Sequence, residues 1–338
     1  MTTADFDALE LVARRGPSWF GDLADGRVTA ELLSSSERAG IGVQMVELRG
    51  RDTCHQIVVK RYHSRRSIPL VQRPRLGDPD DARVKPECEF AALVELDHAL
   101  RPAATGVAAV RPLEFLDEYQ AIVMERYPGT DARPYLRRQT DHGLDVLGSG
   151  GAALAIAHRV LERPDRIRLA SPGEIDGSFR SFCEHLMPLV DARLIDHTRR
   201  WWSSAMPDDA PALGACHGDC APRNLLVDAD ANAAWIDGLF RWRAPVYQDI
   251  AVFVTSARVR ARLTPGSRRN RFAAWRTEAF VDGYRRHVDV QPEWLTRFEV
   301  LVLLDRLASL VEHGSSVRQR LVRRAVEAEL AALVETRA

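Results

Sequence analysis

The sequence predicts an α+β fold with two lobes, a small antiparallel-sheet lobe followed by a larger, mainly helical one. Up to Tyr127, short segments of alternating and β-branched residues are separated by polar, Gly-containing turns. The breaker "PGT" follows, and most of the remaining chain shows the apolar period of helices. We therefore predict an N-terminal lobe at 1–126 and a C-terminal lobe at 127–338.

The N-terminal lobe is expected to begin with a short amphipathic helix at 4–15 and a three-stranded meander. The strands are expected at 28–34 ("VTAELLS"), 42–48 ("GVQMVEL") and 56–62 ("QIVVKRY"). The segments between them, "SSERAG" and "RGRDT", have the composition of turns, so neighbouring strands should be antiparallel.

One helix and two further strands complete this lobe. The apolar stripe in "PECEFAALVELDHAL" predicts a helix over 86–100 that begins at Pro86. The preceding 63–86 segment is rich in Pro and charge, so we expect a loop. Two strands are expected at 107–115 ("VAAVRPLEF") and 120–127 ("QAIVMERY").

The C-terminal lobe is expected to be helical apart from one island. Helical patterns cover about 145–163, 176–204, 246–263, 270–287, 292–312 and 315–336. Residues 213–240 instead read as loops and short strands.

Composition argues against several classes of protein. The 338 residues are 46% hydrophobic and 28% charged, as in a globular protein, and the formal net charge of zero favours neither nucleic acid nor an anionic membrane as partner. The longest apolar runs, such as "VLVLL", are too short to span a bilayer, and the first residues do not resemble a signal peptide. Five cysteines without a CxxC pair indicate a reducing cytoplasm rather than a disulfide framework.

The candidate catalytic residues lie in the part of this island at 217–238, "HGDCAPRNLLVDADANAAWIDG". Asp219, Asn224 and Asp237 follow one another, and a tight hairpin around "DADAN" is expected to bring Asn224 and Asp237 into one small volume. Two such oxygen ligands suit a hard cation such as Mg²⁺. The carboxylate of Asp219 could accept a proton from a hydroxyl group. This order of base, metal ligand and metal ligand is the catalytic half of a kinase site.

This island resembles that of the aminoglycoside phosphotransferase/choline kinase family, which has a protein-kinase-like fold. The family carries an HGD-x-x-x-x-N loop and then a hydrophobic strand ending in [IL]-D, represented here by "HGDCAPRN" and "WIDG". The resemblance implies ATP, or another nucleoside triphosphate, and Mg²⁺ as cofactors. It also implies transfer of the γ-phosphate to a hydroxyl of a small molecule, with Asp219 as base and with Asn224 and Asp237 as metal ligands.

The resemblance further implies a lysine on the third strand that binds nucleotide phosphates. Lys60 occupies that place, and the only other lysine, Lys85, is expected to be a surface residue. A glutamate of the next helix should hold Lys60. We expect Glu89, because the apolar stripe places it beside the buried face, with Glu87 and Glu95 as alternatives.

The segment "VMERYPG" resembles the family's adenine-binding hinge. The backbone from Glu125 to Tyr127 would supply hydrogen bonds to adenine, and Met124 would line the pocket. These residues, with Lys60 and Glu89, form the expected nucleotide-binding set of the N-terminal lobe.

Three residues of the C-terminal lobe are expected to support the catalytic loop or the fold. In the family-like segment "APVYQDIAVFV", Asp249 would brace the loop through its backbone, although an Asp in the first turn of a helix also stabilises that helix. His158 is expected to be structural, and His217 is expected to shape the loop through hydrogen bonds to backbone.

The chain departs from protein kinases at several points. The segment "SSSERAGIG" lacks the G-x-G-x-x-G pattern, and Gly238 after Asp237 removes the D-F-G motif. Only residues 238–248 separate Asp237 from Asp249, so no activation loop is visible. A protein kinase is therefore a less favoured alternative than a small-molecule kinase.

Three other functions remain open from the sequence. A zinc site would use Cys216, His217 and Cys220, with Cys183 and His185 as further candidates. The chain could also be a catalytically inactive kinase fold that serves as an interaction module. Against this, the chain keeps every expected catalytic residue. Binding of nucleic acid would use the arginines of the 258–276 region, which in most proteins form solvated helix faces.

The acceptor is expected to be neutral or anionic, because arginines follow the expected metal ligand Asp237. They are Arg241, Arg243, Arg258, Arg260 and Arg262. If these side chains line the cleft, a sugar, a glycoconjugate or a sugar phosphate fits better than a polycationic aminoglycoside, and other antibiotic-like acceptors remain possible. No partner other than this small molecule is expected, and the oligomeric state stays open.

Overall fold

The structure is a computed structural model that describes residues 3–24, 26–38, 41–62, 76, 86–100, 106–136, 140–161, 167–204, 207, 209–238, 240, 242–263, 269–313 and 316–335. The chain forms two compact units. The first comprises Met1–Ile68, Arg83–His98 and Ala109–Pro128, and the second comprises Pro69–Ala82, Ala99–Ala108 and Gly129–Ala338.

The first unit is built on an antiparallel sheet of five strands in the order β1-β2-β3-β5-β4. Its elements in chain order are α1 (Thr3–Trp19), β1 (Thr29–Arg38), β2 (Ile41–Arg49), β3 (Cys54–Tyr62), α2 (Pro86–Leu100), β4 (Pro112–Leu116) and β5 (Ala121–Glu125). The predicted meander and the helix over 86–100 are confirmed. The predicted strand at 107–115 is wrong in its first half, since β4 begins only at Pro112.

Apolar residues of α1 and of the sheet form the core of the first unit. Val12 and Trp19 of α1 are buried with Leu48, Ile57 and Val123 of the sheet. Every second side chain of a strand faces this core, which α1 packs against. The strand β5 is buried on both faces, since Ala121 to Met124 are all buried. The predicted loop at 63–86 lies outside the described residues, apart from Leu76 and Pro86.

The second unit is mainly helical. Its elements are β6 (Thr130–Asp131), α3 (Asp141–Val160), α4 (Pro172–Leu186), α5 (Ala192–Trp202), β7 (Leu213–Ala215), β8 (Leu225–Val227), β9 (Ala233–Trp235), β10 (Arg243–Pro245), α6 (Tyr247–Arg262), α7 (Arg269–Arg285), α8 (Pro292–His313) and α9 (Val317–Glu335). The helices enclose a large apolar core in which Phe253 and Phe280 stack with ring centroids 3.8 Å apart.

Two details of the second unit differ from the sequence prediction. The helical pattern at 176–204 is two helices, because Pro188 in the break between α4 and α5 has no N–H with which to continue a helix. The short strands β6 and β10 were not predicted. β6 pairs with β8 in a three-stranded sheet of order β6-β8-β9, and β10 pairs with β7 in a two-stranded sheet.

None of the described helices combines the length and apolar character needed to cross a membrane. All five cysteines are free thiols, as expected from their number and spacing.

Candidate active site

A tight hairpin positions the two expected metal ligands. Strands β8 and β9 are antiparallel with Leu225 opposite Trp235, and the carboxylate of Asp228 accepts hydrogen bonds from the N–H groups of Asp230 and Asn232 at 3.0 and 2.9 Å. At the open end of the hairpin the N–H of Ile236 donates to the carbonyl of Asn224 at 2.9 Å. The predicted return of the chain beside Asn224 is therefore confirmed.

Asn224 is buried, and its amide is oriented by Asp219. Nδ2 of Asn224 donates to the backbone carbonyl of Asp219 at 2.8 Å and to its Oδ2 at 3.0 Å. Both amide hydrogens are thereby used, which leaves the oxygen Oδ1 as the atom that can bind a cation. A hard oxygen ligand at this place fits Mg²⁺.

Asp219 stays accessible although its loop is held firmly. Its side chain is 44% exposed, and Oδ2 also accepts a hydrogen bond from Arg223, whose side chain is 49% exposed. Sequence reasoning passed over Arg223. The signal was its position four residues after Asp219, which suits pairing of opposite charges.

Asp237 is exposed at the end of the hairpin in a left-handed backbone conformation with φ of 60°. The next residue must be small, because a Cβ atom on Gly238 would lie 2.0 Å from the ring of Phe240. The Phe240 ring in turn packs edge-on against His217, with centroids 5.4 Å apart. The packing of the Phe240 ring therefore requires a glycine directly after Asp237.

Asp249 braces the catalytic loop, as predicted. Its fully buried carboxylate accepts hydrogen bonds from the N–H groups of His217 at 2.6 Å and Gly218 at 3.0 Å. The two N–H groups converge because Gly218 adopts a φ of +81°, which glycine reaches without strain. Asp249 therefore fixes the backbone of the loop between β7 and β8.

His158 of α3 holds Asp249 from the other side. Its Nε2 lies 2.9 Å from Oδ2 of Asp249, and its Nδ1 lies 2.8 Å from the hydroxyl of Tyr284. Burial raises the pKa of the Asp249 carboxyl, but the hydrogen bond with His158, together with the electrostatic effects of His158 and His217 and the N–H of Gly218, brings the pKa below its ordinary value. Asp249 is therefore ionised. The sequence indicated a structural His158 but not its partners.

His217 shapes the loop through hydrogen bonds to backbone, as predicted. Its Nε2 lies 3.0 Å from the carbonyl of Ile236, and the N–H of Asp219 donates to its Nδ1 at 3.3 Å. Burial lowers the pKa of His217 despite the neighbouring carboxylates. A neutral ring protonated on Nε2 satisfies both contacts.

In the first unit, Lys60 of β3 forms a buried ion pair with Glu89 of α2. Nζ lies 2.7 Å from Oε1 of Glu89, and the two residues are 6% and 4% exposed. Glu89 also accepts a hydrogen bond from the hydroxyl of Tyr62. Of the three candidate glutamates, Glu89 is therefore the one that pairs with Lys60.

The segment expected to bind adenine lies at the end of β5. Met124 is buried, and the N–H groups of Glu125 and Arg126 donate at 2.9 Å to the carbonyls of Arg111 and Gln56. Those two N–H groups are used within the first unit. Only the other backbone groups of this segment are left for the predicted hydrogen bonds to adenine. They include those of Tyr127, which is half-buried.

The residues of the alternative zinc site do not converge. The group of potential ligands found among the described residues is His158, Cys216 and Asp249, all buried. Both ring nitrogens of His158 and both oxygens of Asp249 already make hydrogen bonds. Burial raises the pKa of the Cys216 thiol well above its usual value, which disfavours the thiolate that zinc requires.

Two of the five arginines that suggested the acceptor class instead join helices. Arg258 pairs with Glu299 of α8 at 2.8 Å, and Arg262 pairs with Glu329 of α9 at 2.5 Å. Arg243 is exposed, and Arg241 lies outside the described residues. Arg258 and Arg262 are therefore balanced within the second unit, and they support neither an anionic acceptor nor a nucleic-acid surface.

Comparison with known proteins covers both sequence and structure. The sequence model of the phosphotransferase enzyme family, APH, matches residues 58–296, more than half of the chain. A search of curated protein sequences found no significant match.

Solved structures share the fold at low sequence identity. A choline/ethanolamine kinase family protein from Mesorhizobium loti is 14% identical with a TM-score of 0.55, and the match covers 97% of this chain and 95% of that one. The macrolide 2'-phosphotransferase MphH from Brachybacterium faecium is 17% identical with a TM-score of 0.52, covering 97% and 98%. Amicoumacin kinase hAmiN, solved with AMP-PNP and Ca²⁺, is 12% identical with a TM-score of 0.51, covering 98% and 96%. The fold is thus protein-kinase-like, as predicted.

Proposed function

Because the chain belongs to the phosphotransferase enzyme family, we propose that it transfers the γ-phosphate of ATP to a hydroxyl group of a small molecule. One observation carries this proposal: a half-exposed carboxylate, Asp219, is held beside the buried amide of Asn224 in a loop whose backbone is fixed by Asp249. A base that is reachable yet fixed in place is what transfer to a bound hydroxyl requires.

In this proposal Asp219 orients the acceptor hydroxyl and takes its proton as the oxygen attacks phosphorus. Asn224 keeps the carboxylate in one orientation through its hydrogen bond to Oδ2. Because the transition state of phosphoryl transfer is loose, positioning and charge neutralisation supply most of the acceleration.

Residues of the first unit are proposed to bind the nucleotide. Lys60, oriented by Glu89, would bind the α- and β-phosphates, and the backbone near Glu125 to Tyr127 and Met124 would hold adenine. Asn224, through Oδ1, and Asp237 would hold Mg²⁺, which neutralises phosphate charge when bound. The AMP-PNP and Ca²⁺ in the amicoumacin kinase structure support a nucleotide and a divalent cation as the ligands.

Two features favour a small acceptor over a protein. Only residues 238–248 separate Asp237 from Asp249, which leaves no room for an activation loop. The structural relatives are named for choline or ethanolamine, macrolide and amicoumacin substrates. The free thiols suit a reducing cytoplasm as the place of action.

The test is a screen for ATP-dependent phosphorylation over sugars, sugar phosphates, aminoglycosides, amino alcohols and nucleosides. We expect at least one class to be phosphorylated by the native protein and none by Asp219→Asn. Binding of AMP-PNP without transfer to any class would instead support a catalytically inactive interaction module.

A further inference from the structure

Two residues at the end of β5 are each held twice by a single partner. The N–H of Glu125 donates to the carbonyl of Arg111 at 2.9 Å, and Nη1 of Arg111 lies 3.4 Å from the Glu125 carboxylate. The N–H of Arg126 donates to the carbonyl of Gln56 at 2.9 Å, and the Arg126 guanidinium donates to Oε1 of Gln56. The start of the segment that is proposed to bind adenine is therefore held by Arg111 and Gln56.

The Arg111 side chain also contacts Trp19 and the next residue, Phe20, which together are called the α1 end. Its Nη2 donates to the carbonyl of Trp19 at 3.2 Å, and its guanidinium lies over the ring of Phe20, 5.6 Å from the centroid. A guanidinium group has five donors and also stacks on aromatic rings, so one arginine can meet a carbonyl, a ring and a carboxylate together. Arg111 therefore connects the α1 end with Glu125.

The α1 end is itself fixed within the first unit. Trp19 and Phe20 are both buried in its core. The Phe20 ring stacks on His55 of β3 with centroids 3.9 Å apart, and Nε2 of His55 lies 2.9 Å from each carboxylate oxygen of Asp22. The guanidinium of Arg111 therefore contacts a part of the chain whose position is set by the core and by β3.

Attachment of α1 to the sheet does not account for the contacts of Arg111. The apolar side chains of Val12 and Leu48 already join the helix and the sheet in the buried core. Arg15 of α1 adds a surface ion pair with Glu114 of β4 at 3.6 Å. Arg111 differs from Arg15, because its side chain meets both the α1 end and the segment proposed to bind adenine. It is therefore placed to transmit a position from one to the other.

We propose that Arg111 is a positioning residue for the nucleotide. It carries the fixed position of the α1 end to Glu125, and so sets where the backbone from Glu125 to Tyr127 lies when adenine binds. It acts through Glu125 and not by touching the nucleotide. The proposal rests on the proposed function, because adenine binding by this segment is part of that function. Loss of the Arg111 side chain should weaken nucleotide binding and leave the chemistry at Asp219 unchanged.

The first experiment measures the dissociation constant of Mg²⁺–AMP-PNP by calorimetry for the native protein, Arg111→Gln, Arg111→Lys and Arg15→Gln. Arg15→Gln is the matched control, because Arg15 is a half-exposed arginine whose ion pair joins α1 to β4. We expect the dissociation constant to rise about tenfold in Arg111→Gln, to rise less in Arg111→Lys and to stay at the native value in Arg15→Gln. Urea unfolding of the same proteins measures their stability.

A dissociation constant in Arg111→Gln equal to the native value would overturn the proposal. An equal rise in Arg15→Gln and Arg111→Gln would also overturn it, because the effect would then belong to the attachment of α1 in general. A native protein that does not bind AMP-PNP would contradict both this proposal and the proposed function. If binding changes as expected but no acceptor is phosphorylated, only the proposed transfer is wrong, since calorimetry does not depend on turnover.

The second experiment tests the route through the α1 end with Phe20→Leu, which removes the ring beneath the guanidinium. We expect Phe20→Leu to raise the dissociation constant of Mg²⁺–AMP-PNP about threefold in the native background, and to change it little in the Arg111→Gln background. In a transfer assay, Arg111→Gln should raise the KM for ATP and leave kcat within about twofold. Equal effects of Phe20→Leu in both backgrounds, or a loss confined to kcat in Arg111→Gln, would contradict the proposal.

Discussion

The two units hold their charged residues in opposite ways. In the first, Lys60 and Glu89 are both buried and meet directly. In the second, Asp219 is half exposed and is fixed through its backbone and its neighbours, because the buried carboxylate of Asp249 holds the two residues before it. In the first unit the charged side chain of Lys60 is itself held in place. In the second unit the loop backbone is held, and the charged side chain of Asp219 projects from it.

This difference suits the two proposed tasks. A lysine that binds phosphate needs one fixed position, and a buried ion pair provides it. A base must meet a substrate from solvent, so its carboxylate stays accessible while its backbone is immobilised. Substitutions in the second unit should therefore lower the rate of phosphoryl transfer more than comparable substitutions in the first unit.

The largest effect is expected from Asp249→Asn. An amide can present only one oxygen to the two N–H groups of His217 and Gly218, and its NH2 group would face a donor. We expect a loss of about 3 kcal/mol in the free energy of unfolding and about 100-fold in the rate of transfer. Urea unfolding and a transfer assay measure both. Asp145→Asn, at an exposed position of α3, is the control. Native stability and rate in Asp249→Asn would show that the brace is dispensable.

A smaller effect concerns pH and His217. Because burial lowers the pKa of His217 below 6.5, the folded protein resists a proton that the unfolded chain accepts. Its contribution to stability is complete above pH 6.5 and declines as the pH falls below 6.5 towards the folded pKa.

We therefore expect the native protein to lose up to about 1.4 kcal/mol per pH unit in that window through this group. His217→Gln should flatten the decline, although the variant is less stable overall. Unfolding by urea at a series of pH values measures it, with His287→Gln, at an exposed position, as the control. An identical slope in His217→Gln would contradict this account.

The smallest effect is expected in the first unit from Tyr62→Phe. The change removes the hydrogen bond to Glu89 but leaves the ion pair with Lys60, so Glu89 becomes less firmly held. We expect a loss of about 1 kcal/mol in stability and a rise of about fivefold in the KM for ATP, with little change in kcat. Tyr119→Phe is the control, because Tyr119 packs at the edge of the same core. A change confined to kcat would remove Tyr62 from nucleotide binding.

Local patterns in the sequence predicted the elements well. The strand alternation gave β1, β2 and β3, and the apolar stripe of α2 pointed to Glu89 over Glu87 and Glu95. The turn residues Asp228 and Asn232 made the hairpin beside Asn224 predictable. Spacing alone therefore placed Asp219, Asn224 and Asp237 in one segment.

Partners far apart in the sequence could not be predicted. Arg258 and Arg262 are neutralised by residues 41 and 67 positions away, and nothing near either arginine indicates this. The same holds for His158, whose partners are 91 and 126 positions away. Side-chain pairing across helices depends on how the core packs, so the arginines that suggested an anionic acceptor were partly the wrong ones.

The most direct test of the central claim is a paired measurement on Asp219→Asn. The dissociation constant of Mg²⁺–AMP-PNP and the rate of ATP-dependent transfer are measured in the same preparation, with Asp196→Asn, at an exposed position of α5, as control. The account predicts that Asp219→Asn lowers the rate by about 100-fold or more while the dissociation constant changes little. An unchanged rate of transfer in Asp219→Asn would contradict the assignment of Asp219 as the base.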